Sequence, residues 1–145
     1  AVTIPENVQV LEDYLFDHCF KLSSVTIPDS VTYIGREVFD ECPALQWNIF
    51  DNGRYVGNAE NPYVCLVGVA SEDATNLVVH ADTKVVADSA FSQNENLTSL
   101  TCQGELAYIG KHSFSRCTKL ETVSFAKTVG FSIKFIPPLI VFYYS

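Results

Sequence analysis

The five cysteines and three histidines are the residues best suited to chemistry in this sequence. Thiolates and imidazoles bind zinc and can act in nucleophilic catalysis, but both roles need a characteristic spacing. The sequence contains no CxxC pair, no HExxH, no nucleophile elbow and no glycine-rich phosphate loop. We therefore expect no catalytic residue, no metal site and no cofactor, and we expect that the protein is not an enzyme.

The other candidate ligands also lack a common location. The histidines occupy unrelated positions of the sequence repeat described below: His18, His80 and His112. Four acidic residues of one segment could hold calcium: Asp51, Glu60, Glu72 and Asp73. Their spacing lacks the dense alternation of a calcium loop, so a solvated surface is the better interpretation.

The sequence repeats with a period of 23 residues. The segment VTIP at 2–5 recurs at 25–28, and three further units begin at residues 77, 100 and 123. We number these units first to fifth. The fifteenth position of each complete unit is phenylalanine and the twenty-first is leucine: Phe16, Phe39, Phe91, Phe114, Leu22, Leu45, Leu97 and Leu120. The longer step from 25 to 77 contains an insertion of 29 residues at 48–76.

Each unit begins with a short segment that alternates between apolar and polar side chains, such as Val25-Thr26-Ile27. This period of two predicts a half-buried strand, and branching at Cβ favours it. Residues 35–42 then predict a short helical turn that directs Phe39 inward. Because one unit cannot bury these faces alone, the units must stack. The pattern predicts a leucine-rich-repeat solenoid with short parallel strands and short helical turns.

Three of the cysteines share the eighteenth repeat position: Cys19, Cys42 and Cys117. Cys102 occupies the apolar third position, and Cys65 lies in the insertion. A shared position implies a shared packing environment, so we expect buried free thiols. A bridge between Cys19 and Cys42 is conceivable because stacked strands are about 4.8 Å apart, but the odd cysteine count does not resemble a disulfide framework.

The charge and composition narrow the possible partners. Nine basic and 17 acidic residues give a formal net charge of −8, which opposes binding to nucleic acid. A hydrophobic content of 48% supports one packed domain over residues 1–145. The chain opens at Ala1 without a leader, so we expect that an export signal was removed or lies outside this segment, and that the protein is a monomeric part of a longer chain.

The wording VTIPDSVxxIGxxxFxxCxxL, clearest at residues 25–45, resembles the BspA-like leucine-rich-repeat family. The resemblance extends over four complete units and the start of a fifth. It implies an α/β-type, right-handed solenoid in an exported or cell-surface protein that functions in adhesion and protein binding. It brings no catalytic residue with it. The segment at 55–69 is also similar to one that recurs between such repeats in bacterial members.

The insertion at 48–76 has a separate pattern. Asn52-Gly53 between apolar runs predicts a hairpin, and residues 63–69 predict another strand. We expect a small β-meander that projects from the solenoid or caps one face of it. Its role is either to cover a repeat edge or to contact a ligand.

The segment 130–145 departs from the repeat. Ser132 and Pro137 stand where the tenth and fifteenth positions need apolar residues. The apolar stretch is too short and too interrupted to cross a bilayer core of about 30 Å, so we expect no membrane insertion. The segment is either an improvised cap or a truncated or corrupted end, and its lack of a polar outer face favours the second.

The outward side chains of the strands are small and rich in hydroxyl groups, which suits a docking surface. We expect a protein-binding or adhesion module whose partner is a host or matrix protein. The predicted contact residues are Thr26, Ser99, Thr101, Thr122 and Ser124 on the strands, and Trp47, Tyr55 and Tyr63 near the insertion. One alternative is a structural spacer that supports another domain. The other is a glycan-binding module, for which the three aromatic residues are the only candidates.

Overall fold

The computed structural model describes residues 1–125 with their side chains and the backbone of Phe131–Ile136 and Leu139–Tyr144. Over these residues the chain forms a β-solenoid of short strands. The predicted position of Val129 in the fifth unit lies outside the described residues.

The segments at the start of the units form the first row of strands. These are β1 (Val2–Thr3), β3 (Val25–Thr26), β8 (Asn76–Val79), β10 (Ser99–Cys102) and β12 (Thr122–Phe125). β1 pairs with β3, and β10 pairs with both β8 and β12, always in parallel. Leu100 lies between Leu77 and Val123, so the register equals the repeat period. The predicted parallel strands are confirmed.

A second row of strands follows within the units. Its members are β2 (Val10–Leu11), β4 (Tyr33–Ile34), β9 (Val85–Val86) and β11 (Tyr108–Ile109). β2 pairs in parallel with β4, and β9 with β11. The close stacking leaves no room for a side chain at Gly110, where a Cβ would lie 2.3 Å from the carbonyl oxygen of Ala87.

The prediction of short helical turns is wrong, because no helix occurs among the described residues. The twelfth to seventeenth positions of the units instead form what we call turn rows, at 13–18, 36–41, 88–93 and 111–116. In every turn row the second and sixth residues have positive φ, between 48° and 65°: Tyr14, His18, Glu37, Glu41, Ser89, Gln93, His112 and Arg116. This left-handed backbone cannot continue a helix.

The N–H groups of the turn rows explain the absence of helix. Those of Tyr14 and Phe16 donate to the carbonyl oxygens of Arg36 and Val38, at 3.1 and 2.9 Å. The corresponding bonds of the third row run from Ser89, Phe91 and Gln93 to Lys111, Ser113 and Ser115. These donors bond to the next unit and are not available for bonds within a helical turn. In row 36–41 it is the carbonyl oxygens, among them those of Arg36 and Val38, that bond to the neighbouring unit. Phe39 is nevertheless buried, as predicted.

The insertion contributes β5 (Asn48–Phe50), β6 (Gly53–Val56) and β7 (Cys65–Val69). β6 pairs antiparallel with both β5 and β7. β7 also pairs in parallel with β9, and Gly57 forms a bridge to Thr26 of β3. The meander is therefore present, but it neither projects from the solenoid nor caps one face. It lies inside the stack, between the second and third units.

The hairpin turn lies one residue earlier than the pattern predicted. Phe50 pairs with Gly53, so Asp51 and Asn52 form the loop, and Asp51 has a φ of 50°. Gly53 belongs to β6, where a Cβ would lie 2.7 Å from the ring of Tyr55. The glycine is thus required for packing and not for the turn.

The insertion separates two clusters of buried side chains. Val56 and Cys65 pack with the first and second units, whereas Tyr55 and Leu66 beside them pack with the third and fourth. Alternate side chains of a strand point to opposite faces, so the insertion forms a wall shared by both clusters. The phenylalanine and leucine positions of the repeat are mostly buried within these clusters, with Phe16 and Leu120 half-buried.

After β12, the strand of the fifth unit, the chain contains β13 (Phe131–Ile136) and β14 (Leu139–Tyr144), which pair antiparallel. This backbone pairing differs from the parallel pairing of the repeat units. Whether the segment is a cap or a corrupted end stays a prediction.

Candidate functional site

The structure brings together four of the predicted hydroxyl contacts. Ser99 pairs with Thr122 and Thr101 with Ser124 on β10 and β12. The Ser124 hydroxyl donates to that of Thr101 at 3.3 Å. Thr122 and Ser124 are exposed, while the other two side chains are half-buried. We call these four residues the strand face.

The fifth predicted hydroxyl contact lies elsewhere. Thr26 is exposed on β3, which belongs to a different sheet and pairs with Thr3 of β1 in register. Gly57 of the insertion forms the bridge on its other side. Thr26 is therefore not part of the strand face.

The three predicted aromatic contacts do not form one surface. Tyr55 is fully buried, and its hydroxyl accepts a hydrogen bond from the backbone N–H of His80, so the prediction of Tyr55 as a surface contact is wrong. Burial also raises the pKa of this phenol to about 12. Tyr63 is half-buried and stacks on His80 with ring centroids 4.1 Å apart. Trp47 packs against the other core cluster, on the opposite side of the insertion.

The cysteines are free thiols, as predicted, and all but the half-buried Cys19 are buried. At the eighteenth repeat position the thiol bonds to the preceding unit: Cys42 Sγ donates to the carbonyl oxygen of Phe16, and Cys117 Sγ to that of Phe91, both at 3.0 Å. Burial raises the pKa of Cys117 to about 11. These thiols thus hold neighbouring units together.

A cleft of about 1250 Å³ opens between the second and third turn rows, and sequence reasoning missed it. In the other described stacks, three backbone hydrogen bonds join successive turn rows, but no hydrogen bond joins row 36–41 to row 88–93. The insertion places β7 beside β9 and Gly57 beside Thr26 of β3, but it supplies no turn row of its own. The only signal in the sequence was the long step between the unit starts at 25 and 77.

The floor of the cleft contains an arginine without a partner. The Arg54 guanidinium lies over the Trp47 ring, 4.8 Å from its centroid, and Arg54 Nε is buried with no hydrogen-bond partner. Desolvation lowers the pKa of Arg54. Gly68 makes room for this side chain, because a Cβ there would lie 2.9 Å from Arg54 Nη2. A stacked arginine of this kind can donate to an incoming oxygen atom.

Asn94 adds a second unsatisfied donor to the wall of the cleft. Its Oδ1 accepts from the backbone N–H groups of Asn96 and Leu97, which fixes the amide, but its buried Nδ2 has no partner. Asn94 occupies the same repeat position as Cys42 and Cys117. The two cysteine thiols donate to the turn row of the preceding unit. For Asn94 that row is 36–41, which lies on the opposite side of the cleft.

Asp88 closes the inner end of the cleft and belongs to the scaffold. Its carboxylate accepts hydrogen bonds from the hydroxyls of Tyr33 and Tyr108 and from the backbone N–H of Lys111. The hydrogen bond to Asp88 raises the pKa of Tyr33 above its ordinary value. The Asp88 N–H donates to the carbonyl oxygen of Ile34, 2.9 Å away. The residue therefore connects the units on both sides of the insertion.

The candidate calcium ligands do not converge in the structure. Asp51 instead accepts a hydrogen bond from the backbone N–H of Val78, which attaches the insertion to β8. Among the residues the structure describes, no group of three or more histidine, cysteine or acidic side chains is placed to hold a metal ion. Within the same residues, no helix has the length and apolar character needed to cross a membrane.

The comparisons with known proteins concern the repeat. The family model of the BspA type leucine rich repeat region matches residues 1–59 and 70–134, with six copies. No curated protein is significantly similar in sequence to the chain. A crystal structure of a leucine rich cell surface protein from Faecalibacterium prausnitzii A2-165 is 27% identical, with a TM-score of 0.41. The match covers 87% of this chain and 32% of that protein, so the chain spans about a third of its length.

The repeat period, the register of the strands and the extent of the family match agree on one assignment. The chain belongs to the BspA-type leucine-rich-repeat family.

Proposed function

We propose that the chain is a non-catalytic, protein-binding module of an extracellular or cell-surface protein. The observation that carries this proposal is the strand face. Four hydroxyl side chains lie in register on two adjacent parallel strands, and on β10 they alternate with the buried Leu100 and Cys102. Family membership supports a role on the cell surface, and the expected partner is a host or matrix protein. Each hydroxyl group can both donate and accept a hydrogen bond, so such a surface can pair with the polar groups of a partner protein.

Two other functions have less support. A glycan-binding module needs exposed aromatic rings on one surface, but Tyr55 is buried and Trp47 lies on the other side of the insertion from Tyr63. A structural spacer needs no binding surface at all. It is distinguished from a binding module only by the following test.

We expect the double substitution Thr101→Arg and Thr122→Arg to weaken binding to a partner protein without unfolding the chain. Binding of purified matrix proteins and polysaccharides to the immobilised protein identifies the partner. Two long charged side chains on the strand face should weaken that binding by about tenfold or more, through steric and desolvation costs. Far-UV circular dichroism and the melting temperature should change little, because neither side chain is in the core.

The matched control is the double substitution Thr3→Arg and Thr26→Arg, which places the same two charges on exposed threonines of the paired strands β1 and β3. It should leave binding intact. Loss of binding in the control alone would move the contact surface to the first sheet. Binding of no panel protein by the unmodified chain would favour the spacer, and binding of polysaccharides only would favour the glycan module.

A further inference from the structure

The two walls of the cleft keep the backbone conformation of the turn rows that are hydrogen-bonded. Glu37 and Glu41 have φ values of 53° and 48°, close to the 62° and 58° of Tyr14 and His18 in the first row. Ser89 and Gln93 on the opposite wall have values of 58° and 65°. Both walls are therefore preformed edges of the stack and not collapsed loops.

Each wall presents the hydrogen-bonding groups that the stack uses elsewhere. By their repeat positions, the donors on one wall are the N–H groups of Glu37, Phe39 and Glu41. By the same rule, the acceptors on the other wall are the carbonyl oxygens of Asp88, Ala90 and Ser92. No hydrogen bond of the described residues uses any of these groups. An edge of alternating unpaired groups can pair with an added extended chain, which is the basis of peptide binding by strand addition.

The charged side chains around the cleft determine which peptides can bind there. Five exposed carboxylates outnumber the one exposed cation, Arg36, among the residues that line the cleft: Glu37, Asp40, Glu41, Glu72 and Glu95. None of these carboxylates has an ion-pair partner within residues 1–125. Clustered charge of one sign at a cleft concentrates ligands of the opposite sign. The acidic mouth thus favours a peptide with basic side chains.

We propose that the cleft binds a basic peptide segment of a partner protein, which takes the place and the backbone conformation of the missing turn row. Its carbonyl oxygens accept from the wall at 36–41, and its N–H groups donate to the wall at 88–93. Arg54 and Asn94 donate to further carbonyl oxygens of the peptide, which satisfies their buried nitrogens. Lysine or arginine side chains of the peptide meet the carboxylates at the mouth. The inference rests on the proposed protein-binding function but assigns it a surface other than the strand face.

The test uses a synthetic peptide of alternating threonine and lysine, about ten residues long. In one register this alternation places lysine, and not a β-branched residue, at the two positions where the turn rows have positive φ. Amide hydrogen exchange of the full chain is followed by NMR with and without this peptide. The N–H groups of Glu37, Phe39 and Glu41 should exchange about tenfold or more slowly when the peptide is bound, since they become hydrogen-bonded. The corresponding groups of the first turn row serve as internal controls and should not change.

Two further peptides separate charge from backbone pairing. A threonine and glutamate peptide of the same length should bind about tenfold or more weakly, because the acidic mouth repels it. A threonine and lysine peptide with alternate backbone nitrogens methylated should also bind about tenfold or more weakly, because it cannot donate to the wall at 88–93. Equal binding of all three peptides would overturn the proposal.

Ser92→Arg, on the cleft wall, should abolish peptide binding through its bulk and its positive charge. Ser115→Arg is the matched control, since it changes the same repeat position in the next unit. If Ser92→Arg does not fold, Glu41→Lys tests the same site from its exposed rim, with the exposed Glu121→Lys as control. Equal effects of variant and control would contradict the proposal.

Other outcomes distinguish a failure of this inference from a failure of the proposed function. Protection of the cleft amides at high protein concentration without peptide would identify a second copy of the chain as the occupant and overturn the proposal. If no protection occurs and Ser92→Arg still binds the matrix protein, the inference fails while the proposed function stands. If the panel of matrix proteins gives no binding and the peptide still protects the cleft, the strand-face assignment fails and the cleft carries the binding.

Discussion

Phenylalanine at the fifteenth repeat position is buried to different extents along the chain. Phe91 is 1% exposed and contacts Phe114 in the second cluster, with ring centroids 5.5 Å apart. Phe16 in the first unit is half-buried and stacks on Phe39. The same residue at the same repeat position therefore makes different contributions to stability.

Replacing Phe91 by alanine should lower the free energy of unfolding by about 3–5 kcal/mol, because it leaves a cavity in a closed core. Phe16→Ala should cost only about 1–2 kcal/mol, since part of the Phe16 ring already contacts solvent. Urea denaturation of both variants measures the difference. Equal losses for the two variants would contradict the burial pattern.

Single residues of the insertion show where the sequence pattern misleads. Gly53 was assigned to a turn because glycine accepts positive φ, but the structure uses it to admit the ring of Tyr55. Tyr55 was assigned to the surface because aromatic residues near an insertion can contact ligands, but it fills the core. Both assignments depend on which face of β6 is buried, and that is decided by tertiary packing and not by the local pattern.

At the scale of elements, the strands could be predicted and the turn rows could not. A period of two in Val25-Thr26-Ile27 is sufficient to specify a strand, and the recurrence every 23 residues gives its parallel register. Residues 35–42 have no comparable signal, because their backbone conformation accompanies hydrogen bonds that their carbonyl oxygens accept from the preceding unit. The cleft could not be predicted from the sequence either, because it results from hydrogen bonds that are absent between the turn rows at 36–41 and 88–93.

Asp88 illustrates how one side chain joins elements across the insertion. Asp88→Ala should lower the free energy of unfolding by about 2–4 kcal/mol, because two tyrosine hydroxyls and one backbone N–H lose their acceptor. The pKa of Tyr33 should fall toward its ordinary value, because its main cause of elevation is the hydrogen bond to Asp88. Urea denaturation and titration of the tyrosine absorbance measure the two effects.

Asp13 is the matched control for this experiment. It occupies the same repeat position and accepts from the Arg36 backbone N–H at 3.0 Å, but it is exposed. Asp13→Ala should cost only about 0.5–1.5 kcal/mol. A similar cost for both substitutions would show that the tyrosine contacts contribute little.

At the scale of the whole molecule, buried thiols make stability depend on pH. Burial raises the pKa of Cys102 to about 12 and that of Cys117 to about 11, and it also raises those of Cys42 and Cys65. An unfolded chain releases these protons near pH 8.5, whereas the folded chain retains them. The unfolded state then binds fewer protons than the native state, so the free energy of unfolding must fall as pH rises.

We expect the free energy of unfolding to be constant between about pH 7 and 8 and to fall above about pH 8.5, by up to about 1.4 kcal/mol per pH unit for each buried thiol. Urea denaturation under reducing conditions up to about pH 10 measures this fall. Cys102→Ala should make the slope less steep. A free energy of unfolding that rises over the same range would contradict the burial of the thiols.

The wall formed by the insertion also sets the cooperativity of the whole chain. In a repeat array, opening spreads from one unit to the next as far as the interfaces are strong. At the cleft the turn rows make no hydrogen bonds to each other, and neither strand row pairs directly across it. Among the described residues, the second and third units are coupled through the insertion, through Asp88, and through Val85 and Ala87, which pack in the first cluster. We therefore expect opening to spread less readily across the insertion than between units that pair directly, so the two clusters should differ in their free energies of opening.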